Sequence, residues 1–194
     1  MIQVLDQKTI NQIAAGEVVE RPSAVVKELM DNSLDAGASA ITIEIKEGGI
    51  SMIRITDNGA GIAKEEIPTA FLRHATSKIR NTEDLLSVTS LGFRGEALSS
   101  IAAVAQVELI TKRKEDIVGT RYSIEGGKET GCEEVGCPEG TTFVVRNLFY
   151  NTPARRKFLK SKMTEAGYVE SFIQRLALSH PDISFKFICD NKNK

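Results

Sequence analysis

The sequence has 194 residues, of which 41% are hydrophobic and 26% are charged, and its formal net charge is −1. These values are typical of an ordinary globular domain with a buried core, and the near-neutral charge argues against nucleic-acid binding through overall charge. No apolar run reaches the roughly 18 residues of a membrane span, and the opening MIQVLDQKTI lacks the pattern of a signal peptide, so we predict a cytoplasmic protein without a membrane segment.

The first predicted elements are a short helix over residues 6–15 and a longer helix over residues 23–36. Pro22 fits the first turn of the longer helix, where its missing N–H is not needed, and Gly37 fits its end. At 100° per residue, this helix has an apolar stripe formed by Val25, Val26, Leu29, Met30 and Ser33. Three polar residues lie along one margin of that stripe, namely Glu28, Asn32 and Asp35. Polar groups at the edge of a buried face need partners, so this margin is either a ligand site or a solvated row of side chains.

A β-hairpin is predicted next, in ITIEIKEGGISMIRITD. Ile41, Ile43 and Ile45 alternate along its first strand, and residues 52–55 form its second strand. The Glu-Gly-Gly sequence at residues 47–49 supplies the turn.

Residues 58–100 form a long connection in which glycines cluster at both ends. Gly59 and Gly61 lie in DNGAG, and Gly92 and Gly95 lie in LGFRGEAL. The helices predicted in this region are residues 65–72, 82–86 and 94–104. Connections of this length in compact domains are usually functional or disordered.

The remaining chain groups strands and helices in blocks. The predicted strands are residues 106–112, 120–125, 129–135, 141–147 and 183–189, and the predicted helices are residues 153–160 and 164–179. Helices clustered around antiparallel-looking strands favour an α+β fold, a two-layer sandwich with helices on one face of a mixed β-sheet. Strict βαβ alternation is absent, which disfavours a doubly wound fold. The final DNKNK resembles a hairpin turn whose second strand is missing, so we predict that the chain is a fragment of a longer protein.

Cysteines and histidines are few and irregularly spaced. Cys132, Cys137 and Cys189 form an odd set without a C-x-x-C pair, and the two histidines are His74 and His180. We therefore predict reduced thiols, without a disulfide framework or a tetrahedral zinc site.

Three polar clusters together supply the parts of a nucleotide triphosphatase. Glu28 and Asn32, one helical turn apart, can orient a water and complete a magnesium shell. Asp57, beside the two glycines of DNGAG, can accept a hydrogen bond from a flat heterocycle that packs on the backbone. The glycine turn of LGFRGEAL opens a helix, whose N-terminus is an anion site. Such a set would hold a base, phosphates, a metal and an attacking water.

Each cluster also has an ordinary structural explanation when taken alone. DNGAG is typical of a turn that ends a strand, and LGFRGEAL is typical of a helix start. The sequence has no G-x-x-x-x-G-K-[ST] motif, which excludes the P-loop design.

The order and content of the motifs resemble those of the MutL family of DNA mismatch-repair proteins. The segments that carry the resemblance are INQIAAGEVVERP (10–22), KELMDNSLDAGA (27–38), DNGAGI (57–62), HATSKI (74–79), GFRGEALSSI (92–101) and NTPARRKFL (151–159). The second and third segments and the glycine turn are shared with the wider group that includes gyrase and histidine kinases, whereas HATSKI, GFRGEAL and NTPARRKFL are specific to MutL.

The resemblance implies the GHKL (Bergerat) ATP-binding fold across residues 1–194, with ATP and Mg²⁺ as cofactors. By motif position, Glu28 is the general base of an ATPase, Asn32 is the magnesium ligand and Asp57 takes the adenine amino group. Thr142 is expected near the same water-mediated contact, and Gly59 and Gly61 give the base room. The lid and phosphate residues implied in the same way are Thr76, Ser77, Lys78, Gly92, Phe93, Arg94, Gly95, Glu96, Ala97 and Leu98.

The resemblance also implies features of the full-length protein. It implies a following transducer domain that supplies a lysine to the γ-phosphate and most of the DNA contact, then a C-terminal dimerisation domain. We expect slow hydrolysis by this chain without that lysine. The implied partners are the mismatch-recognition protein MutS, a downstream nuclease or clamp, and a second copy in a nucleotide-dependent homodimer.

Other functions are consistent with parts of the sequence. A type II topoisomerase ATPase domain would share the fold but not HATSKI or NTPARRKFL, and a non-hydrolysing adaptor would bind nucleotide only to switch assembly. A domain without ligand would require all three polar clusters to be coincidental. The basic residues Arg155, Arg156, Lys157, Lys160 and Lys162 fit either a DNA contact or, as we favour, a solvated helix face.

Overall fold

The computed structural model describes residues 15–16, 18–73 and 96–194. Its strands form one eight-stranded sheet in the order β5-β4-β3-β6-β2-β1-β7-β8. The strands are β1 (Ala40–Lys46), β2 (Met52–Asp57), β3 (Gln106–Lys112), β4 (Gly119–Glu125), β5 (Lys128–Val135), β6 (Gly140–Arg146), β7 (Ser184–Cys189) and β8 (Lys192–Asn193).

The sheet is mixed. β1 and β7 run parallel, with Ala40 opposite Ser184, and the other neighbouring strands are antiparallel. The parallel pair requires a long crossover, which among the described residues contains the strands from β2 to β6 and four α-helices. The predicted mixed sheet is thereby confirmed.

The predicted hairpin is formed by β1 and β2, with Ile43 opposite Ile55. The isoleucines at alternate positions are buried because both strands place them on the face that the helices cover. The turn at Glu47–Gly49 is a short 3-10 helix, and both of its glycines have positive φ.

The helices cover one face of the sheet, as predicted. They are α1 (Pro22–Asp35), α2 (Ile67–Ala70), α3 (Ala97–Val104), α4 (Pro153–Phe158) and α5 (Lys162–Ser179). The apolar stripe of α1 is buried, and its residues belong to the same core cluster as the inward side chains of β1, β2 and β6. In the part of the chain that the structure describes, no helix is long and apolar enough to cross a membrane.

Three sequence expectations need correction or lie outside the described residues. The terminal hairpin is present, since β8 pairs with β7 after a turn at Asp190 and Asn191, both of which have positive φ. The prediction of a missing second strand was therefore wrong, because a strand of only two polar residues leaves no alternating pattern. The predicted helix at residues 82–86 and nearly all of the one at residues 6–15 fall outside the described residues.

Candidate nucleotide site

The centre of the site is Asp57, the last residue of β2. Its side chain is buried, with 7% exposure for the residue. Oδ1 accepts hydrogen bonds from the backbone N–H of Gly59 at 2.9 Å and of Thr141 at 3.3 Å. Oδ2 accepts one from the Ser33 hydroxyl at 2.6 Å. A buried carboxylate with three donors is held in one orientation, and its negative charge is compensated by hydrogen bonds.

The sequence pattern placed Ser33 in the apolar stripe of α1 and did not predict its hydrogen bond to Asp57. It lies in the buried face of α1, with 3% exposure, and joins that helix to the end of β2 through Asp57. The available signal was a small hydroxyl residue in the middle of an otherwise apolar stripe, because such a group must find a hydrogen-bond partner when it is buried.

The glycines of DNGAG let the loop after β2 pack closely on its neighbours. A Cβ on Gly59 would lie 2.8 Å from the Cβ of Ala36, which follows α1, and Ala60 N–H donates to the carbonyl of Ala36 at 3.0 Å. Gly61 has φ +73°, and a Cβ there would lie 2.4 Å from the carbonyl oxygen of Lys112. The glycines thus fix the loop to both α1 and β3, in addition to removing side chains beside Asp57.

Thr142 does not lie beside the Asp57 carboxylate, contrary to the expectation. In the antiparallel register, Asp57 is opposite Thr141, and Thr142 is opposite Thr56, with 3.0 Å between the two hydroxyl oxygens. Successive side chains of a strand point to opposite faces, so Thr142 is on the face away from α1. There it lines a cavity of about 250 Å³ together with Thr42 and Thr56. The GTT motif at residues 140–142 identified the correct segment, but it did not indicate which of its two threonines faces the core.

Thr141 occupies the position expected of Thr142. Its hydroxyl lies 3.1 Å from that of Thr111, which is 1% exposed and also accepts the Ile62 N–H at 2.9 Å. Thr111 Oγ1 is in turn 3.1 Å from the carbonyl oxygen of Gly140. The two buried threonines therefore join β3, β6 and the DNGAG loop beneath Asp57.

Glu28 and Asn32 lie on α1, one turn apart and at the margin of its buried stripe, as predicted. Both are partly exposed, the Glu28 side chain to 22%. Lys27 contacts Glu28 at 3.4 Å and Asp31 at 2.8 Å. Burial lowers the pKa of Lys27, but its hydrogen bond to Asp31 and the two carboxylate charges outweigh that effect, so the pKa is raised above its ordinary value. Lys27 therefore stays cationic beside Glu28.

The predicted lid and most of the phosphate segment lie outside the described residues: Thr76, Ser77, Lys78, Gly92, Phe93, Arg94 and Gly95. Glu96 is the residue before α3, and Ala97 and Leu98 are in its first turn. Arg73, which precedes the undescribed segment, forms an ion pair with Glu96 at 3.4 Å. The start of α3 is therefore held next to the end of the α2 region.

The described side chains do not form a metal site by themselves. No group of three or more histidine, cysteine, aspartate or glutamate residues is placed to hold a metal within residues 15–16, 18–73 and 96–194. A magnesium ion bound through Asn32 would need further oxygen ligands from phosphates and water, which is the usual way that proteins bind Mg²⁺ with a nucleotide.

A family model described as histidine kinase-, DNA gyrase B-, and HSP90-like ATPase matches residues 20–135. That segment contains α1, the DNGAG loop and α3. The chain belongs to this ATPase family, and its fold is the predicted one.

Within this family, the similarity is to MutL. The chain is 66% identical to the DNA mismatch repair protein MutL of Agathobacter rectalis over 193 residues, covering 100% of this chain and 30% of that protein. It is 56% identical to MutL of Caldanaerobacter subterraneus subsp. tengcongensis, covering 98% of this chain and 32% of that one. The resemblance deduced from the motifs is confirmed, and the chain spans about a third of the length of these relatives.

Solved structures of a MutL ATPase domain and of a DNA repair protein are similar to this chain in fold. The Aquifex aeolicus MutL ATPase domain complexed with ADP matches with a TM-score of 0.72 and 35% identity, over 91% of this chain and 63% of that chain. The N-terminal domain of a DNA repair protein matches with a TM-score of 0.81 and 33% identity, over 98% of this chain and 57% of that chain.

Proposed function

We propose that this chain binds ATP with Mg²⁺ and hydrolyses it to ADP and phosphate. The observation that carries the proposal is the buried Asp57 carboxylate, which three donors hold in place beside Gly59, a residue without a side chain. Membership of the ATPase family and the likeness to a MutL ATPase domain complexed with ADP support the choice of nucleotide.

In this proposal, Asp57 recognises the adenine base. A carboxylate offers about four lone pairs, and the described residues fill three of them at Asp57. The fourth can accept one N–H, and an exocyclic amino group of adenine supplies it. A keto group at the same place would face the carboxylate as a second acceptor, so the site favours adenine over guanine.

Glu28 is the general base. It is near the buried edge of α1 but keeps enough exposure to reach a water. Lys27 lies beside it, with 3.4 Å between its Nζ and a carboxylate oxygen of Glu28. Glu28 would orient the attacking water and accept its proton.

Asn32 holds the metal through its side-chain oxygen, one turn from Glu28. When bound, Mg²⁺ would neutralise charge on the phosphates. The start of α3, from Glu96, contributes backbone N–H groups at the phosphate end.

The division of roles between binding and hydrolysis can be tested at Glu28. We expect Glu28→Ala to bind ATP with nearly wild-type affinity and to lose about 100-fold or more of the phosphate release rate, since a general base contributes that much. Calorimetric titration gives the affinity, and a steady-state phosphate assay gives the rate.

The control for this test is Glu66→Ala, which removes an exposed glutamate from the short 3-10 helix before α2. It should leave both measurements unchanged. Loss of binding in Glu28→Ala as large as the loss of turnover would contradict the assigned role. Wild-type protein that shows no heat of binding at millimolar ATP would contradict the function itself, and binding without phosphate release would indicate a nucleotide-switched adaptor.

We further propose that the longer protein that contains this region acts in DNA mismatch repair, because the relatives that it resembles are DNA mismatch repair proteins. The expected partners are a mismatch-recognition protein, a downstream nuclease or clamp, and a second copy of the chain.

The basic residues of α4 and the start of α5 are exposed or partly exposed. Lys162, at the start of α5, pairs with Glu47 at 2.7 Å, in keeping with a solvated surface rather than a DNA contact.

A further inference from the structure

We propose that Ser33 is a positioning residue that fixes the adenine selectivity of the site by holding Oδ2 of Asp57, the oxygen that faces the base. This role rests on the proposed function and assigns the contact to one atom.

The first step is the distribution of hydrogen bonds on the Asp57 carboxylate. Oδ1 already accepts two backbone N–H groups, from Gly59 and Thr141. Each carboxylate oxygen has two in-plane lone pairs, so these donors fill Oδ1. Oδ2 has one donor among the described residues, the hydroxyl of Ser33. The lone pair that remains for a ligand is therefore on Oδ2.

The second step concerns the single proton of the Ser33 hydroxyl. Two acceptors are within reach, the carbonyl oxygen of Leu29 at 3.2 Å and Oδ2 of Asp57 at 2.6 Å. Hydrogen bonds from a hydroxyl to a carboxylate are typically about 2.5–2.7 Å long and are stronger than those to a neutral carbonyl. The proton therefore goes to Asp57, and it occupies one of the two lone pairs of Oδ2.

The third step is the direction of the lone pair that is left. With Oδ1 fixed by two backbone groups and Oδ2 fixed by a side chain from a buried helix face, the carboxylate cannot rotate. The free lone pair of Oδ2 then points in one direction. Without the Ser33 hydroxyl, the plane of the carboxylate is fixed from one side only, and water can compete for Oδ2.

The test compares ATP with purine riboside triphosphate, which has hydrogen in place of the 6-amino group. The preference for ATP over this analogue isolates the amino contact from the binding of the phosphates. We expect Ser33→Ala to lower the affinity for ATP about 10-fold and to change the affinity for the analogue by less than about 3-fold. The preference for ATP therefore falls.

Two further variants complete the experiment. Ser179→Ala is the matched control, since it removes the same hydroxyl from an exposed position in α5, where Ser179 donates to the carbonyl of Leu176 at 2.8 Å and contacts no carboxylate among the described residues. It should retain the wild-type preference. Ser33→Cys keeps a side chain of similar size but offers only a weak donor, so it should lose the preference as Ser33→Ala does, even if the alanine variant is too unstable to titrate.

The outcomes separate this role from the proposed function. A Ser33→Ala variant that keeps the wild-type preference for ATP, or that weakens both nucleotides equally, overturns the role of Ser33 while ATP binding by the wild type stands. If the wild-type protein binds neither nucleotide, or binds both equally well, then recognition of the adenine amino group by Asp57 is overturned, and the role of Ser33 is overturned with it.

Discussion

Asp57 shows how a single buried carboxylate can be fixed by backbone groups on one oxygen and by a side chain on the other. Its two oxygens therefore have different surroundings. Among the described residues, Oδ1 accepts the N–H groups of Gly59 and Thr141 and Oδ2 accepts the Ser33 hydroxyl, so our proposal assigns the ligand contact to Oδ2. This asymmetry makes the effect of an amide substitution predictable.

In Asp57→Asn, the amide oxygen should take the place of Oδ1, because two N–H groups donate there, and the NH₂ group should take the place of Oδ2. The ligand then meets a donor instead of an acceptor. We expect ATP to bind about 10-fold or more weakly and inosine triphosphate, which has a keto group at the same position, to bind better than it does to the wild type. Titration of both nucleotides measures this reversal, and an equal loss for the two would show that the amide does not adopt that orientation.

Some residues of the site could be predicted from the sequence and others could not. Glu28, Asn32 and Asp57 could be proposed as site residues because their motifs are specific, and the structure places them on the helix and at the strand end where the sequence predicted them. Ser33 and the choice between Thr141 and Thr142 could not. The first depends on a contact between residues 24 positions apart, and the second depends on which face of β6 covers the core, a property of strand register.

At the scale of elements, the DNGAG loop connects α1 to the sheet. Its close approaches on both sides, to Ala36 and to Lys112, leave no space for larger residues. The sequence indicated a glycine-rich turn there. The structure adds that this turn connects α1, which contains Glu28 and Asn32, to the end of β2 at Asp57.

Gly61→Ala should lower the free energy of unfolding by about 1–3 kcal/mol, since alanine at positive φ is strained and its Cβ would meet a backbone carbonyl. Gly131→Ala is the matched control, because Gly131 lies on the exposed strand β5 with nothing within 4 Å of an added Cβ. Urea unfolding followed by circular dichroism measures both. Equal stability of the two variants would contradict the close approach at Gly61.

Helix and strand positions were predicted within a few residues wherever periodicity was strong, as in β3 and α1. The exception is β8, which is too short to carry a pattern. The helix predicted at residues 164–179 is present as α5, and its buried residues are Glu165, Val169 and Ile173. Which face of such a helix is buried depends on what it packs against more than on its own sequence.

At the scale of the whole molecule, the fold class was predicted but the strand order was not. The placement of β6 between β3 and β2, and the parallel pairing of β1 with β7, join parts of the chain that are far apart. Local periodicity contains no information about such pairings. The family resemblance supplied the architecture that the residue pattern left open.

Stability at alkaline pH should depend on Tyr122, which is buried in β4 and stacks on Phe71 with 5.4 Å between ring centroids. Burial, together with a hydrogen bond to Glu129 and the charge of that residue, raises the pKa of Tyr122 to about 12 from its ordinary 10.0. Between these two values the unfolded chain has lost the phenolic proton and the folded chain keeps it. Stability due to Tyr122 is therefore complete below pH 10 and falls as the pH rises through 12.

Comparison of urea unfolding at pH 8 and pH 11 tests this effect. We expect wild-type protein to lose about 1–2 kcal/mol more than Tyr122→Phe over this interval, because phenylalanine has no proton to release. Tyr168→Phe, at a half-exposed position on α5, serves as the control and should follow the wild type. Identical losses in wild-type protein and Tyr122→Phe would contradict the raised pKa.

The central claim is that an adenine nucleotide binds with its base against Asp57 and its phosphates toward Asn32 and the start of α3. The most direct test is a crystal structure of this chain with Mg²⁺ and a non-hydrolysable ATP analogue. We predict that the exocyclic amino group lies within hydrogen-bond distance of Oδ2 of Asp57, next to the Ser33 hydroxyl, with Asn32 bound to the metal. A nucleotide located elsewhere, or a base whose amino group has no contact with Asp57, would contradict it.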